Sequence, residues 1–182
     1  MKKIFLVMIV ALNTTLFAEM IKPENGVSLN YTHILFEWEQ VVNAWGYETD
    51  IIEYEIQIST SSSFSPIISS ASTSSLIYIE SNNIGWSDTY YWRVRPNYSD
   101  GSFGDWIDTF SFSTTSSITS ADITVYDSEA YHDGVTFLGS LDGNFSAAFN
   151  KQGNEIWNSS GDDLIMYNTN LKGELYGCHY EP

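Results

Sequence analysis

Alternation of apolar and polar residues dominates the chain between residues 21 and 115. In the stretch IIEYEIQIS, which begins at Ile51, the intervening polar residues are Glu53, Glu55 and Gln57. A period of two is that of a β-strand with one buried face, whereas an amphipathic helix repeats every three to four residues. Ser, Asn, Gly and Pro separate the runs, so we expect this region to be β-structure throughout. The residues expected to face the core from this strand are Ile52, Tyr54, Ile56 and Ile58.

The same pattern predicts seven short strands in residues 21–115. Seven strands with one apolar face each require two packed antiparallel sheets, which is the arrangement of a β-sandwich. Pro96 is expected to end its strand. The predicted strands are residues 26–30, 33–39, 51–59, 64–69, 76–79, 90–96 and 108–114. The predicted core consists of Phe36, Trp38, Tyr54, Ile56, Trp92, Val94, Phe110 and Phe112. Because this core is self-contained, we expect the region to fold independently.

The order of the aromatic motifs carries a family resemblance. FEW, YEIQISTSSSF, YYWRVRP, GDW and FSFST follow one another as in a bacterial fibronectin type III domain, which residues 21–115 resemble. The resemblance implies a seven-stranded antiparallel sandwich in which the strand of Tyr54 lies beside the strand of Trp92. The chain departs from the family in the long connection from Gln40 to Asp50. It also lacks an Arg-Gly-Asp tripeptide, which argues against integrin-like adhesion.

Arg93 and Arg95, two of the seven Lys and Arg residues, lie among aromatic residues in YYWRVRPNYSDGSFGDW. If the family's strand neighbours hold, Glu53 and Glu55 point to the same outer face, and opposite charges pair across the strands. Trp106, expected to open the last strand, is expected to lay its ring against an arginine. These five residues are predicted to form a structural ladder on the surface. The alternative is a sugar-binding surface, whose aromatic members are Tyr91, Tyr98, Phe103 and Trp106.

Residues 1–18 have the pattern of a secretory signal peptide. Lys2 and Lys3 precede an apolar run from Ile4 to Leu12, and the small residue Ala18 follows. The run is shorter than the roughly 20 residues that a membrane-spanning helix needs. No later run is long and apolar enough either. The sequence therefore predicts an exported protein without a transmembrane segment, located in the periplasm, at the cell surface or outside the cell.

The chain is strongly acidic, with a net charge of -16. Removal of the leader would take away Lys2 and Lys3 but no acid, which would change the net charge to -18. So much negative charge disfavours nucleic acid and anionic membranes as partners. The expected partner is instead a cell-surface or extracellular polymer or protein. Cys178 is the only cysteine, so its thiol is buried, free or paired with something outside this chain.

The composition changes after a Ser- and Thr-rich linker, predicted at residues 116–122. In NKQGNEIW, Gly153 occupies the position where a tight reversal needs a positive φ. The predicted strands of residues 123–182 are 134–139, 145–150, 155–158, 164–168 and 174–178. DGVTF, SAAFNKQGNEIWN and GELYGC resemble the opening blade of bacterial arylsulfotransferase-type β-propellers, over about residues 133–178. The resemblance implies a partial propeller blade, and it places the family's catalytic histidine in later blades.

A single blade leaves apolar faces and strand edges uncovered. Residues 123–182 supply no helix to cover them, and the linker gives no sign of a fixed interface with the sandwich. We therefore expect this region to be marginally stable and more open to proteolysis than the sandwich.

No catalytic, cofactor or metal site is predicted from the sequence. His33, His132 and His179 have no recognisable acid, base or arginine neighbours. The aspartates at positions 142, 162 and 163 lack the spacing of a calcium loop and are interpreted as solvated turn residues. Two function classes remain: an exported, non-catalytic spacer or binding module, and the N-terminal part of a secreted aryl-sulfate sulfotransferase-type propeller enzyme. In neither case do we expect these 182 residues to be an enzyme by themselves.

Overall fold

A computed structural model of the chain describes residues 18–42, 50–124, 127, 129, 134–170 and 174–179. These residues form thirteen β-strands and no helix, so the predicted all-β class is confirmed. With no helix present, the described ranges contain no helical candidate for a membrane span. The predicted signal peptide, apart from Ala18, lies outside the described residues, and so does His132.

Eight strands build a β-sandwich of two sheets. They are β1 (Met20–Lys22), β2 (Val27–Leu29), β3 (Ile34–Trp38), β4 (Ile51–Ser59), β5 (Ile67–Thr73), β6 (Ile77–Glu80), β7 (Thr89–Tyr98) and β8 (Phe110–Thr114). One sheet has the order β1-β3-β6, and the other has the order β2-β8-β7-β4-β5. Neighbours pair antiparallel except β2 and β8, which pair parallel. The strand of Tyr54 therefore lies beside the strand of Trp92, as the fibronectin type III resemblance implies.

Aromatic side chains from both sheets form the core between them. The Phe36 ring meets the Trp92 ring edge to face at a centroid distance of 5.0 Å, and Trp38 meets Tyr54 in the same manner at 5.6 Å. Of the eight residues predicted to form the core, seven are buried and Phe110 is half-buried against them. The alternation of the sequence therefore identified the buried face of β3, β4, β7 and β8.

Five details of the sandwich differ from the predictions. Strand β2 pairs parallel with β8, although the sequence predicts an antiparallel sandwich. The strand predicted at residues 64–69 lies instead at Ile67–Thr73, so that Phe64 precedes it. The structure adds β1, in which Met20 is buried and pairs with Trp38. Strand β7 continues past Pro96 to Tyr98, and the Pro96 carbonyl accepts a hydrogen bond of 2.9 Å from the Gly104 amide. Ile52, expected in the core, is 55% exposed because the register between β4 and β7 shifts at this end of β4.

Five further strands follow the linker. They are β9 (Thr136–Ser140), β10 (Phe145–Phe149), β11 (Glu155–Asn158), β12 (Leu164–Thr169) and β13 (Leu175–His179). Strands β9, β10 and β11 form an antiparallel meander, and β12 pairs with β13. Gly153 has the expected positive φ, 80°, in the turn between β10 and β11. The buried Ser146 joins the two sheets: its hydroxyl donates to the Leu164 carbonyl at 2.7 Å and accepts from the Met166 amide at 2.6 Å.

Strand β11 is attached to the sandwich through its backbone. The Thr32 amide donates to the Ile156 carbonyl at 2.9 Å, and the Asn158 amide donates to the Asn30 carbonyl at 3.1 Å. Between these bonds Tyr31 and Trp157 form an antiparallel bridge. The segment of residues 30–32, which precedes β3, therefore covers the outer edge of β11.

Two buried polar side chains complete this interface. Glu155, only 7% exposed, accepts hydrogen bonds from the amides of Ile118 and Thr119, the shortest of them 2.8 Å. The Asn158 side-chain amide donates to the Glu155 carboxylate at 2.6 Å and to the Ser116 carbonyl at 3.1 Å. The predicted linker is thus held between the two units. This fixed interface differs from the expectation drawn from the sequence.

A second buried carboxylate stabilises the end of β6. Glu80 accepts hydrogen bonds from the Ser69 hydroxyl and from the amides of Asn82 and Asn83, the amide bonds being 2.8 and 3.1 Å long. Burial raises the pKa of this carboxyl, but these hydrogen bonds lower it, and the resulting pKa lies below the ordinary glutamate value of 4.5. Glu80 therefore stabilises the fold in its ionised form.

Glu80→Gln should reduce the unfolding free energy at neutral pH, because an amide replaces the carboxylate oxygens that accept the backbone N–H groups. The pKa of Glu80 is lower in the folded than in the unfolded protein. The stabilisation is therefore fully present when the pH is above the pKa of the unfolded state, and it is lost as the pH falls through the pKa of the folded state. Urea unfolding of both proteins, from neutral pH to below pH 4.5, should show their stability difference shrinking on the acid side. A difference that stays constant across this range would contradict the role of the ionised carboxylate.

Candidate binding surface

The register of β4 against β7 places the residues of the predicted ladder on the outer face of the five-stranded sheet. Glu55 lies opposite Arg95, and Gln57 lies opposite Arg93. The Arg95 guanidinium donates to one Glu55 oxygen through two nitrogens, at 2.7 and 2.6 Å. The Arg93 guanidinium donates through two nitrogens to the Gln57 side-chain carbonyl, at 3.1 and 2.7 Å.

Aromatic rings lie against both guanidinium groups. The Trp106 ring lies between them, with its centroid 4.0 Å from the Arg93 guanidinium carbon and 4.4 Å from that of Arg95. Phe64 covers the other side of Arg93 at 3.9 Å, and Phe103 covers Arg95 at 4.1 Å. The result is an alternating stack of three rings and two cations. We call these five residues the arginine–aromatic stack.

Both arginines bind partners within the chain, each through two guanidinium nitrogens. Burial lowers the pKa of the Arg93 guanidinium, and the neighbouring charge of Arg95 lowers it further, while Glu55 opposes this shift. Gln57 donates to Glu55 at 2.8 Å, which links the two cross-strand pairs. Each guanidinium is thus bound at its edge by a cross-strand partner and covered on its faces by rings.

The predicted ladder is only partly the observed one. Glu55 and Arg95 form the expected ion pair, but Arg93 binds the neutral Gln57, because the register places Glu53 opposite Asn97. Glu53 instead accepts a hydrogen bond of 2.8 Å from the Asn97 side chain. Trp106 stacks on both arginines but does not open a strand, since β8 begins at Phe110.

Sequence reasoning missed Phe64 and Gln57. Gln57 lies two residues after Glu55 and so shares its outer face. The register of β4 against β7 is what identifies Gln57 as the partner of Arg93. Phe64 has a positive φ of 55° in the turn before β5. Alternation cannot predict its contact with Arg93, because this residue lies outside any strand.

The four aromatic residues of the alternative sugar-binding surface are not all available to contact a sugar. One face of Phe103 and both faces of Trp106 are occupied by guanidinium groups. Phe103 is exposed, at 50% of its surface, whereas Tyr91 and Tyr98 are only partly exposed. Tyr98 packs across Gly104, where an added Cβ would lie 2.9 Å from the tyrosine oxygen.

The remaining candidates for chemistry lie apart from this surface. His33 is half-buried just before β3, and His179 is exposed at the end of β13. Cys178, also in β13, is exposed and free. Within the described ranges, no group of three or more His, Cys, Asp and Glu side chains is arranged to hold a metal ion.

Arg93→Ala should cost about 1 to 2 kcal/mol of unfolding free energy, because it removes two hydrogen bonds and two ring contacts. A fully exposed ion pair would contribute about 1 kcal/mol or less. Arg93→Lys should recover less than half of the loss, since a lysine keeps the charge but cannot place a planar fork between two rings. Urea unfolding measures both variants.

The matched control is Lys22→Ala, which breaks an exposed pair of 4.0 Å with Glu37 and should change the free energy by less than about 0.5 kcal/mol. Equal costs for Arg93→Ala and Lys22→Ala would contradict a stabilising role of the stack.

The comparisons with known proteins identify no family for this chain. No protein-family model matches the chain, and no curated protein matches it in sequence. Among solved structures, an α-L-rhamnosidase from Dictyoglumus thermophilum is similar over 69% of the chain, with 14% identity and a TM-score of 0.40. The chain spans 15% of the length of that enzyme. A likeness at this level carries no information about activity.

Proposed function

We propose that this chain is an exported, non-catalytic module of fibronectin type III type, which acts as a spacer or binding domain. Its sandwich holds the C-terminal β-segment in a defined orientation. The strand neighbours β4 and β7, and the aromatic core that their alternation predicts, support the family assignment. The leader-like residues 1–18 support export, and the acidic composition favours an extracellular polymer or protein over nucleic acid as a partner.

The observation that carries the proposal is the interface formed by Glu155 and Asn158. Domains joined by a polar linker are expected to move relative to one another unless their interface is extensive and well packed. Here the linker amides of Ile118 and Thr119 are bound to a buried carboxylate, and β11 shares backbone hydrogen bonds with residues 30–32. A module built in this way transmits orientation, which is what a spacer requires.

The arginine–aromatic stack supports the same function. Both cations and their partner side chains are engaged within the sandwich. The stack therefore stiffens the outer face of β4 and β7 instead of presenting free cations to an anionic ligand.

A distance measurement tests whether the orientation is fixed. Cys178 is the single cysteine and is exposed, and Ser72 is exposed on β5. Spin labels on Cys178 and on the variant Ser72→Cys would report the distance between the two units by pulsed electron paramagnetic resonance. We expect a narrow distance distribution. The combined change Glu155→Ala and Asn158→Ala should broaden it.

Singly labelled protein, carrying either Cys178 or the variant Ser72→Cys in a background without the other thiol, controls for contacts between molecules. A broad distribution in the protein with an intact interface would contradict the proposed spacer function.

A second candidate function is suggested by the C-terminal strands. The antiparallel meander β9-β10-β11, with its glycine turn at Gly153, has the connectivity of part of a propeller blade. Exposed apolar residues of β9 and its following turn, Leu138 and Leu141, suit contact with a further blade. Under this alternative, the region is the first blade of a sulfotransferase-type propeller enzyme.

Both candidate functions predict an inactive chain. Incubation with an aryl sulfate donor and a phenol acceptor should give no sulfuryl transfer above a buffer control. Turnover that is lost on replacing His132 or His179 would contradict the absence of catalysis.

A further inference from the structure

A cavity of about 400 Å³ lies where the sandwich meets the C-terminal segment. The cavity is open to solvent and is lined by Thr32 and by three stretches of chain: the loop of residues 81–86 after β6, the linker residues 117–120, and the turn and strand of residues 150–156. It is separate from the arginine–aromatic stack, none of whose residues lines it. Its volume lies in the range of small-molecule sites in proteins.

The lining of the cavity is mixed: Ile84, Ile156 and Trp86 are apolar, and most of the other side chains are polar and neutral. No Lys or Arg side chain is among the described residues that line it, and Glu155 is its one carboxylate. Both Glu155 oxygens accept hydrogen bonds from the linker amides or Asn158. The site therefore offers no free charge to an ionic ligand.

Hydroxyl and amide side chains supply the exposed polar groups of the cavity. Among them, the Ser120 hydroxyl and the Asn154 side-chain amide make no hydrogen bond with another described residue. Hydroxyl and carboxamide groups both donate and accept hydrogen bonds. They are suited to a ligand whose own groups do the same, and the hydroxyls of a sugar have this property.

The lining includes one indole, that of Trp86, beside Ile84 and Ile156. Trp86 is half-buried, and its ring nitrogen donates to the Glu155 carbonyl at 2.8 Å across the interface. This bond holds the ring in one place before any ligand arrives, which reduces the entropic cost of binding. A flat aromatic ring beside neutral donors and acceptors is complementary to a sugar ring, which has an apolar C–H face and a polar rim.

We propose that this cavity is a binding site for a neutral saccharide of one or two rings. The two units form the site together, because Trp86 and Asn82 come from the sandwich and Asn154 comes from the C-terminal segment. The proposal rests on the fixed interface of the proposed function, whereas the spacer function does not need the ligand, since a fixed interface without one would still orient the two units.

Isothermal titration of the full chain with a panel of defined sugars tests the proposal. The panel contains methyl glucoside, methyl galactoside, methyl mannoside, maltose, cellobiose and lactose, with glucuronate and glucosamine as charged comparisons and glycerol as an acyclic polyol. At least one neutral sugar should bind, and the charged sugars and glycerol should bind at least about tenfold more weakly.

Two variants locate the binding. Asn154→Ala removes only a side-chain amide from the lining and should weaken the binding about tenfold, the loss of roughly one well-formed hydrogen bond. Ser120→Trp should abolish it by filling the cavity. Gln152→Ala is the matched control, because Gln152 lies in the same turn but does not line the cavity. Circular dichroism of each variant establishes that it is folded.

Three outcomes would overturn the proposal: no binding by any neutral sugar in the panel, tighter binding of a charged sugar, or equal affinity in the parent protein and the folded Asn154→Ala and Ser120→Trp variants. The distance distribution between labels on Cys178 and Ser72→Cys is independent of all three, so failure of the saccharide site and failure of the spacer function are distinguishable.

Discussion

Replacing Trp92 with alanine should lower the unfolding free energy of the sandwich by about 4 kcal/mol. The side chain is fully buried between the sheets, where it contacts the Phe36 and Phe110 rings at centroid distances of 5.0 and 6.0 Å. Its removal leaves a large cavity lined by rigid neighbours from both sheets. A domain of this size is stabilised by only about 5 to 15 kcal/mol in total, so the loss is a large fraction of it. Urea unfolding followed by far-ultraviolet circular dichroism measures the change.

The matched variant is Trp92→Phe, which keeps an aromatic ring in the core. The buried Trp92 ring nitrogen has no hydrogen-bond partner among the described residues, so the phenylalanine sacrifices no hydrogen bond. This variant should cost roughly 1 to 2 kcal/mol, mainly through lost volume. Alanine and phenylalanine variants of equal stability would show that the ring at position 92 does not support the core.

The sequence predicts the strands well wherever a strand has one buried face. The alternation in β4 and β7 identified Tyr54, Ile56, Trp92 and Val94 as core residues, and all four are buried. It also placed Arg95 and Glu55 on one outer face, where they pair. Alternation succeeds here because successive side chains of a strand point to opposite faces of the sheet, so one buried face requires an apolar residue at every second position.

The same reasoning fails where the backbone leaves the regular pleat. Ile52 continues the apolar series of β4, yet a shift of register at Ile51–Glu53 leaves it exposed. Strand β1 has only three residues, which is too few for a period of two to be recognised. Phe64 reaches Arg93 from a turn with positive φ, and no local pattern signals that contact.

The interface between the two units was the largest feature missed from the sequence. Glu155 and Asn158 begin and end the short strand predicted at residues 155–158, and nothing in QGNEIWNSS marks either polar side chain as buried. Their partners Ile118, Thr119 and Ser116 lie 36 to 42 residues away in the chain. The local sequence indicates only how polar a stretch is on average. Whether one carboxylate in it is buried depends on amides that are distant in the chain and that the fold brings next to it.

Glu155→Ala should destabilise this interface by about 3 kcal/mol, because it removes the shared acceptor of the Ile118 and Thr119 backbone amides and of the buried Asn158 side-chain amide. The loss should fall mainly on the C-terminal segment, since the sandwich core lies elsewhere. Limited proteolysis with subtilisin should therefore cleave residues 116–122 faster in the variant than in the parent protein, because the linker is released when its amides lose the carboxylate.

Two variants define the specificity of this effect. Glu155→Gln keeps the shape of the side chain, but its carboxamide NH₂ replaces one acceptor oxygen and faces a donor. One group of donors therefore loses its acceptor, and this variant should be cleaved at an intermediate rate. Glu39→Ala removes an exposed carboxylate of the sandwich and should leave the rate unchanged. If Glu155→Ala is cleaved no faster than Glu39→Ala, the buried carboxylate does not hold the linker, and the other contacts between the two units, such as the backbone bonds of β11 and the Trp86 bond to the Glu155 carbonyl, are sufficient.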